Sequence, residues 1–203
     1  MRRGTSVADA AAAIRAGEVV AIPTDTLYGL AVDPFSAPAV SRLFSVKGRS
    51  ASQAIALIAA DTEQVITQIG PLPVNARRLA SEYWPGPLTI LLPRPATVPV
   101  ELTGGSDRIG VRVPAHEIAR ELCRACGHPL TATSANLSGE APSNDPDDIA
   151  AVFGRSDVEL LLDAGKTPGG PPSTIIDVLS DGQLRLIRPG AIEWEEICAN
   201  ARL

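Results

Sequence analysis

Short apolar runs alternate along this chain with segments of helical period, and that alternation limits the fold more than any other feature. Residues 19–22 (VVAI), 54–58 (AIALI), 88–92 (LTILL), 109–113 (IGVRV), 129–133 (PLTAT) and 158–162 (VELLL) are too short for buried helices. Few of them alternate apolar and polar residues, as strands covered on both faces do not. Helical segments lie between them. Ser6, followed three residues later by Asp9, opens one that Gly17 ends. Pro38 suits the first turn of a second, with Val40, Leu43 and Phe44 on one face. Asp61 caps a third that carries Val65, Ile66 and Ile69, and further helices are expected over 74–82, 116–125 and 146–153. Strands near 174–178 and 184–188 complete the pattern. The sequence therefore predicts an α/β fold, a mixed sheet with substantial parallel content flanked by helices. The 18 Pro and 17 Gly fall between these segments rather than in a linker, so residues 1–203 are expected to form one domain.

Charge and composition exclude several functions. With 18 Lys+Arg against 23 Asp+Glu, the net charge is −5, the wrong sign for a protein living on phosphate-backbone contacts. Aromatic residues are only 3% of the chain, which leaves little stacking surface for single-stranded nucleic acid. No apolar run is long enough to span a membrane, and Asp9 and Arg15 interrupt the N-terminal segment where a signal peptide would be apolar. Three cysteines, an odd number, fit a reducing cytoplasm.

Several motif fragments do not amount to sites. Gly165-Lys166-Thr167 resembles the end of a phosphate-binding loop, but Leu160 stands where that motif needs its first glycine. Cys123 and Cys126 have the spacing of half a zinc site without a second pair, so no metal site is expected. With only His116 and His128 as bases and no G-x-S-x-G elbow, a Ser-His-Asp hydrolase is disfavoured.

Chemistry-bearing side chains cluster instead at the ends of expected strands, where open α/β sheets place ligands. Thr24-Asp25-Thr26-Leu27-Tyr28 offers hydroxyls, and Lys47-Gly48-Arg49 offers two cations beside a helix end. Arg108, Gly110 and Arg112 share one face of a strand, and two arginines there must reach solvent or an anion. Thr133-Ser134-Ala135-Asn136 and Pro172-Ser173-Thr174 add further polar groups.

The segments PTDTLYGL, KGR, YWPGPLT, RIGVRVPAH, PLTATSANLSG, PPSTIID and LIRPG occur in that order from about residue 23 to 190. In this the chain resembles the YrdC-like family, and the likeness runs from about residue 7 to 190. The resemblance implies an open twisted mixed α/β sheet flanked by helices around a large, locally positive cavity. It implies a cytoplasmic nucleotidyltransferase that condenses L-threonine, bicarbonate (or carbon dioxide) and ATP, with Mg2+ on the ATP, to threonylcarbamoyl-AMP and pyrophosphate. The product would feed a downstream tRNA threonylcarbamoyl-transferase complex that makes N6-threonylcarbamoyladenosine. Carried onto this sequence, Thr26, Tyr28, Arg112, Ala132 and Ser173 would contact threonine. Lys47, Arg49, Gln53, Arg108, Ser134, Asn136 and Arg188 would bind ATP, with Lys47 and Arg49 as the catalytic cations. Members often carry proline after the K-x-R and Lys or Asn three residues further on, where this chain has Ser50 and Gln53; some have histidine where it has Ile58. The chain is expected to be the short form, without an added C-terminal domain. Two alternatives stay open: a paralogue handling another carbamoyl or adenylate compound, and a module with weak RNA binding and no turnover.

Overall fold

The computed structural model describes residues 1–48, 53–179 and 181–201. Its strands are β1 (Arg2–Gly4), β2 (Val19–Ile22), β3 (Gly29–Ala31), β4 (Ala56–Ile58), β5 (Leu88–Pro93), β6 (Arg108–Arg112), β7 (Leu130–Ser134), β8 (Val158–Leu162), β9 (Thr174–Val178) and β10 (Leu184–Arg188). They form one mixed sheet in the order β1-β8-β2-β3-β7-β4-β6-β5-β9-β10. The pairs β1/β8, β2/β8, β4/β6 and β5/β9 are parallel and the other neighbours antiparallel. The flanking helices are α1 (Val7–Arg15), α2 (Ala37–Lys47), α3 (Thr62–Gln68), α4 (Val74–Tyr83), α5 (Glu117–Cys126), α6 (Pro146–Phe153) and α7 (Trp194–Ala201). The expected open mixed sheet flanked by helices is thus the observed architecture.

The apolar runs lack alternation because apolar side chains pack on both faces of the sheet. In β2, Val19 and Ala21 join one core with Val40 and Leu43 of α2 and Leu79 of α4, while Val20 and Ile22 join a second with Ile14 of α1 and Leu122 of α5. Burying a side chain such as Ile22 is worth about 1.5–3 kcal/mol, so each such strand is stabilised from two sides. The helix ends follow the caps read in the sequence. Ser6 Oγ accepts from Asp9 N at 3.2 Å and Asp61 Oδ1 from Gln64 N at 2.8 Å. Gly127 closes α5 in the left-handed conformation, φ 81°. Cys123 packs inside the α1/α5 core, where burial pushes its thiol well above the ordinary range. Burial also pushes Cys126 up to about 11.

Four elements are absent from the sequence reading: β1, β3, a 3₁₀ turn at Val100–Thr103, and α7. The two missed strands are three residues long, too short to show a period. β1 is the charged segment RRG and is a strand only because it pairs with β8. β3 is held between β2 and β7, neighbours remote in sequence.

Candidate active site

A cavity of about 360 Å³ opens on the sheet where small residues stand side by side. Ala56 of β4 pairs with Ala132 of β7, and both line the cavity. Gly110 of β6 lies beside them, so close that an added Cβ would come within 3.1 Å of Thr89 Cγ2 and 3.3 Å of Ala56 Cβ. The volume falls in the range of small-molecule sites.

The first polar wall follows β2. Thr24 Oγ1 donates to Leu27 O at 2.7 Å and accepts from Thr26 N at 3.2 Å, folding residues 24–27 into a hydroxyl-closed turn. Thr26 lines the cavity, its hydroxyl 3.2 Å from that of Thr24. Tyr28 is fully buried. Its hydroxyl donates to Gly165 O at 2.7 Å and accepts from Ala164 N at 3.1 Å, and burial raises its pKa. With its hydroxyl used in this way, Tyr28 shapes the cavity as a wall.

Arg112 ends β6 in register with Ile58 of β4. Its side chain is 9% exposed, Nε donates to Gly86 O at 2.9 Å, and Nη2 forms an ion pair with Asp25. Gly86 in turn donates its N–H to Val113 O at 2.9 Å. A Cβ at Gly86 would lie 2.3 Å from Tyr83 O, so only glycine fits there. The YWPGPLT segment thus both seats the arginine and supplies Thr89 to the lining.

The opposite wall comes from β9 and β10. Ser173 Oγ lies 2.9 Å from Thr89 Oγ1, and Arg188 Nη2 donates to Ser173 O at 2.7 Å and Oγ at 3.1 Å. The chain after Arg188 passes against this segment. A Cβ at Gly190 would come within 2.3 Å of Pro172 O. At the end of β7, Lys47 is 2% exposed and its Nζ donates to the carbonyls of Ser134 and Asn136 and to Asn136 Oδ1. Ser134 Oγ donates to the same Oδ1 at 2.6 Å, and Asn136 Nδ2 donates to Glu140 O at 2.6 Å.

Of the residues singled out in the sequence, Thr26, Tyr28, Arg112, Ala132, Ser134, Ser173 and Arg188 line the cavity. Lys47 and Asn136 stand behind Ser134 and hold its loop. Arg108 is placed elsewhere although it shares a face with Arg112. Its Nη2 pairs with Asp177, whose side chain is only 3% exposed, and donates to Leu91 O at 2.8 Å and Val178 O at 3.0 Å. A buried carboxylate demands a cation, and Arg108 is the one within reach from β6. Gln53 is exposed and outside the lining. Arg49 and Ser50 lie outside the described residues. The sequence reading gave no site role to Asp25 or Thr89. Both stand within the PTDTLYGL and YWPGPLT segments, but their partners, Arg112 and Ser173, are 87 and 84 residues away.

His116, at the start of α5, is partly buried, and its Nδ1 is enclosed with no hydrogen-bond partner among the described residues. Burial lowers its pKa, and the nearby Asp25 carboxylate only partly opposes that. The folded state therefore binds this proton less readily than the unfolded chain. The resulting stability is full above the unfolded value near 6.5 and falls as pH drops through it. Thermal melts are expected to show the melting temperature decreasing from pH 7 to 5.5, with a shallower slope for His116→Gln. Equal slopes would show that His116 does not carry the effect.

A family model described as telomere recombination, Sua5_yciO_yrdC, matches residues 12–190. A Pyrococcus abyssi protein named threonylcarbamoyl-AMP synthase is 41% identical over 188 residues, covering 93% of this chain and 55% of that protein. An Idiomarina loihiensis protein of the same name is 39% identical over 175 residues, covering 85% of this chain and 93% of the relative. The crystal structure of P. abyssi Sua5 complexed with L-threonine matches with a TM-score of 0.89 at 38% identity, over 98% of this chain and 59% of that one. This chain thus spans little more than half the length of the P. abyssi protein and nearly all of the Idiomarina one. The match over residues 12–190, at this identity and in this fold, shows that the chain belongs to the Sua5/YciO/YrdC family.

Proposed function

We propose that this protein is an L-threonylcarbamoyladenylate synthase, condensing L-threonine, bicarbonate or carbon dioxide, and ATP to threonylcarbamoyl-AMP and pyrophosphate for tRNA modification. The observation that carries this reading is the buried guanidinium of Arg112 in a cavity whose walls add hydroxyls, apolar side chains and, on the side of β10, Arg188. Held at Nε by Gly86 O and at Nη2 by Asp25, the guanidinium is fixed in place for a substrate carboxylate that would share it with Asp25, and Thr26 and Ser173 supply hydroxyls for the rest of a small amino acid. The relative solved with L-threonine supports that choice of substrate.

In this reading Arg112 binds the threonine carboxylate. The neutral amine attacks carbon dioxide and loses a proton, giving a carbamate. A carbamate oxygen then attacks the α-phosphorus, and pyrophosphate leaves. No covalent enzyme intermediate is needed; the protein contributes position and charge. Ser134 and Arg188 would meet the nucleotide directly, and Arg49 would add a cation to the phosphates. Magnesium would enter on the triphosphate. The described residues offer cations and hydroxyls to phosphate oxygens, and no cluster of three or more carboxylates, histidines or cysteines to hold the ion independently.

Lys47 acts in this scheme through the Ser134–Asn136 loop, whose two carbonyls and amide oxygen it gathers. Lys47→Ala is expected to lower pyrophosphate release on the order of 10²-fold, as for a misplaced loop that positions a reactant. Circular dichroism is expected to show the fold retained. The assay supplies ATP, threonine and bicarbonate together and omits each in turn. Release that needs all three supports the synthase. Binding of RNA without turnover would replace it with the non-enzymatic module, and normal turnover in folded Lys47→Ala would remove Lys47 from the mechanism.

A further inference from the structure

The segment Asp163–Pro172 carries the Gly165-Lys166-Thr167 fragment that fails as a phosphate-binding loop, and the structure shows a different use for it. Thr167 Oγ1 donates to the carbonyl of Thr26 at 2.8 Å, and Gly169 N donates to the same oxygen at 2.8 Å. Thr167 is also locked to Asn144 in both directions: its N–H donates to Asn144 O at 3.0 Å, and its carbonyl accepts from Asn144 Nδ2 at 2.8 Å. One turn earlier the strap is bound to Tyr28 through Ala164 N and Gly165 O. At its far end Pro172 and Ser173 line the cavity. Thr167 is 5% exposed and is not among the lining residues.

The Thr26 carbonyl thus accepts two hydrogen bonds, both from this strap. That fixes the peptide plane after Thr26 and, with the turn made by Thr24, the direction in which the Thr26 side chain enters the cavity. The Lys166–Asp145 pair on the strap's outer side, with Lys166 72% exposed, adds little by comparison.

We infer that Thr167 is a positioning residue for substrate recognition: it holds the Thr26 backbone so that the Thr26 hydroxyl meets the amino-acid substrate. This rests on the proposed reading of Thr26 as a threonine contact. The consequence is a selective effect on threonine affinity, since Thr167 touches neither the nucleotide side of the cavity nor the reacting atoms.

The test compares wild type, Thr167→Val and Thr167→Ser in two measurements. Amide hydrogen exchange of the unliganded protein over residues 24–29 is expected to be about 3- to 10-fold faster in the valine variant, as for loss of one hydrogen bond, and near wild type in the serine variant. In the three-substrate pyrophosphate assay, the valine variant is expected to raise KM for threonine about 3- to 10-fold, with kcat and KM for ATP within about twofold of wild type. Serine is expected to restore KM. Wild-type exchange in Thr167→Val overturns the inference whatever the activity. A parallel fall in kcat, or no rescue by serine, also overturns it. If wild type releases no threonine-dependent pyrophosphate, the synthase reading fails, and the exchange data still decide whether Thr167 holds Thr26. Should Thr167→Val not fold, Asn144→Ala removes the amide that holds the Thr167 carbonyl from outside the cavity lining, and the same exchange and KM outcomes decide.

Discussion

Arg112→Met is expected to lower kcat/KM for threonine by about 10³-fold in the pyrophosphate assay, the size of effect seen when one partner of a buried charge pair is truncated. The substitution keeps the length of the side chain and removes the fork. It also leaves Asp25, with a side chain 10% exposed, facing an apolar sulfur instead of a cation. Destabilisation of about 3 kcal/mol should accompany the loss of activity, from an uncompensated buried charge. The two effects separate in Asp25→Asn/Arg112→Met. Removing the stranded carboxylate is expected to return most of the stability and none of the activity. A double variant that recovers kcat/KM would show that Arg112 serves the fold and not the carboxylate. Recovery of neither would show that the guanidinium is needed for its bond to Gly86 O more than for its charge.

The second large effect is on stability alone. Asp177 of β9, 3% exposed, accepts from Arg108 of β6 and from Arg185 of β10, the latter at 2.7 Å. Arg185 is 60% exposed and contributes little. Arg108 is mostly buried, and its Nε already lacks a partner among the described residues. Asp177→Ala therefore strands a buried guanidinium and is expected to cost about 3 kcal/mol, measured by urea unfolding. For a chain of this length that is a fall of about 6–12 °C in melting temperature. Arg185→Ala is expected to shift the midpoint by less than about a third as much. Equal effects of the two variants would contradict the assignment of the buried pair. A selective loss of ATP affinity in Asp177→Ala, with unchanged stability, would restore Arg108 to the phosphate role that the family resemblance implies.

Much of the candidate site could be read from the chain because strand ends are visible there. Thr26, Ser134 and Ser173 each stand where an apolar run begins or ends, and the sheet brings those ends to one cavity. Arg108 shows the limit of the same logic. Period-2 alternation correctly places it on the face of Arg112 but cannot say which buried anion lies beside it. That anion, Asp177, comes from a strand joined to β6 only through β5. Lys47 shows it too. Its place at the end of α2 suggested a cation for polyphosphate, and the tertiary structure buries it under the Ser134–Asn136 loop. Likewise the left-over Gly165-Lys166-Thr167 fragment became intelligible only when its neighbour proved to be Thr26, 141 residues earlier.

By itself, then, the amino-acid sequence determined the class of fold, the helix caps, the two-sided burial of the strands and the family. Local hydrogen bonding, hydrophobic period and motif order are properties of neighbours along the chain. The tertiary structure alone decided which cations line the cavity, which stands outside it on a buried carboxylate, and which hydroxyls the walls present. Those outcomes depend on pairings between residues tens to more than a hundred positions apart. In such places the desolvation of one buried charge or carbonyl selects its partner, and no local pattern records the choice.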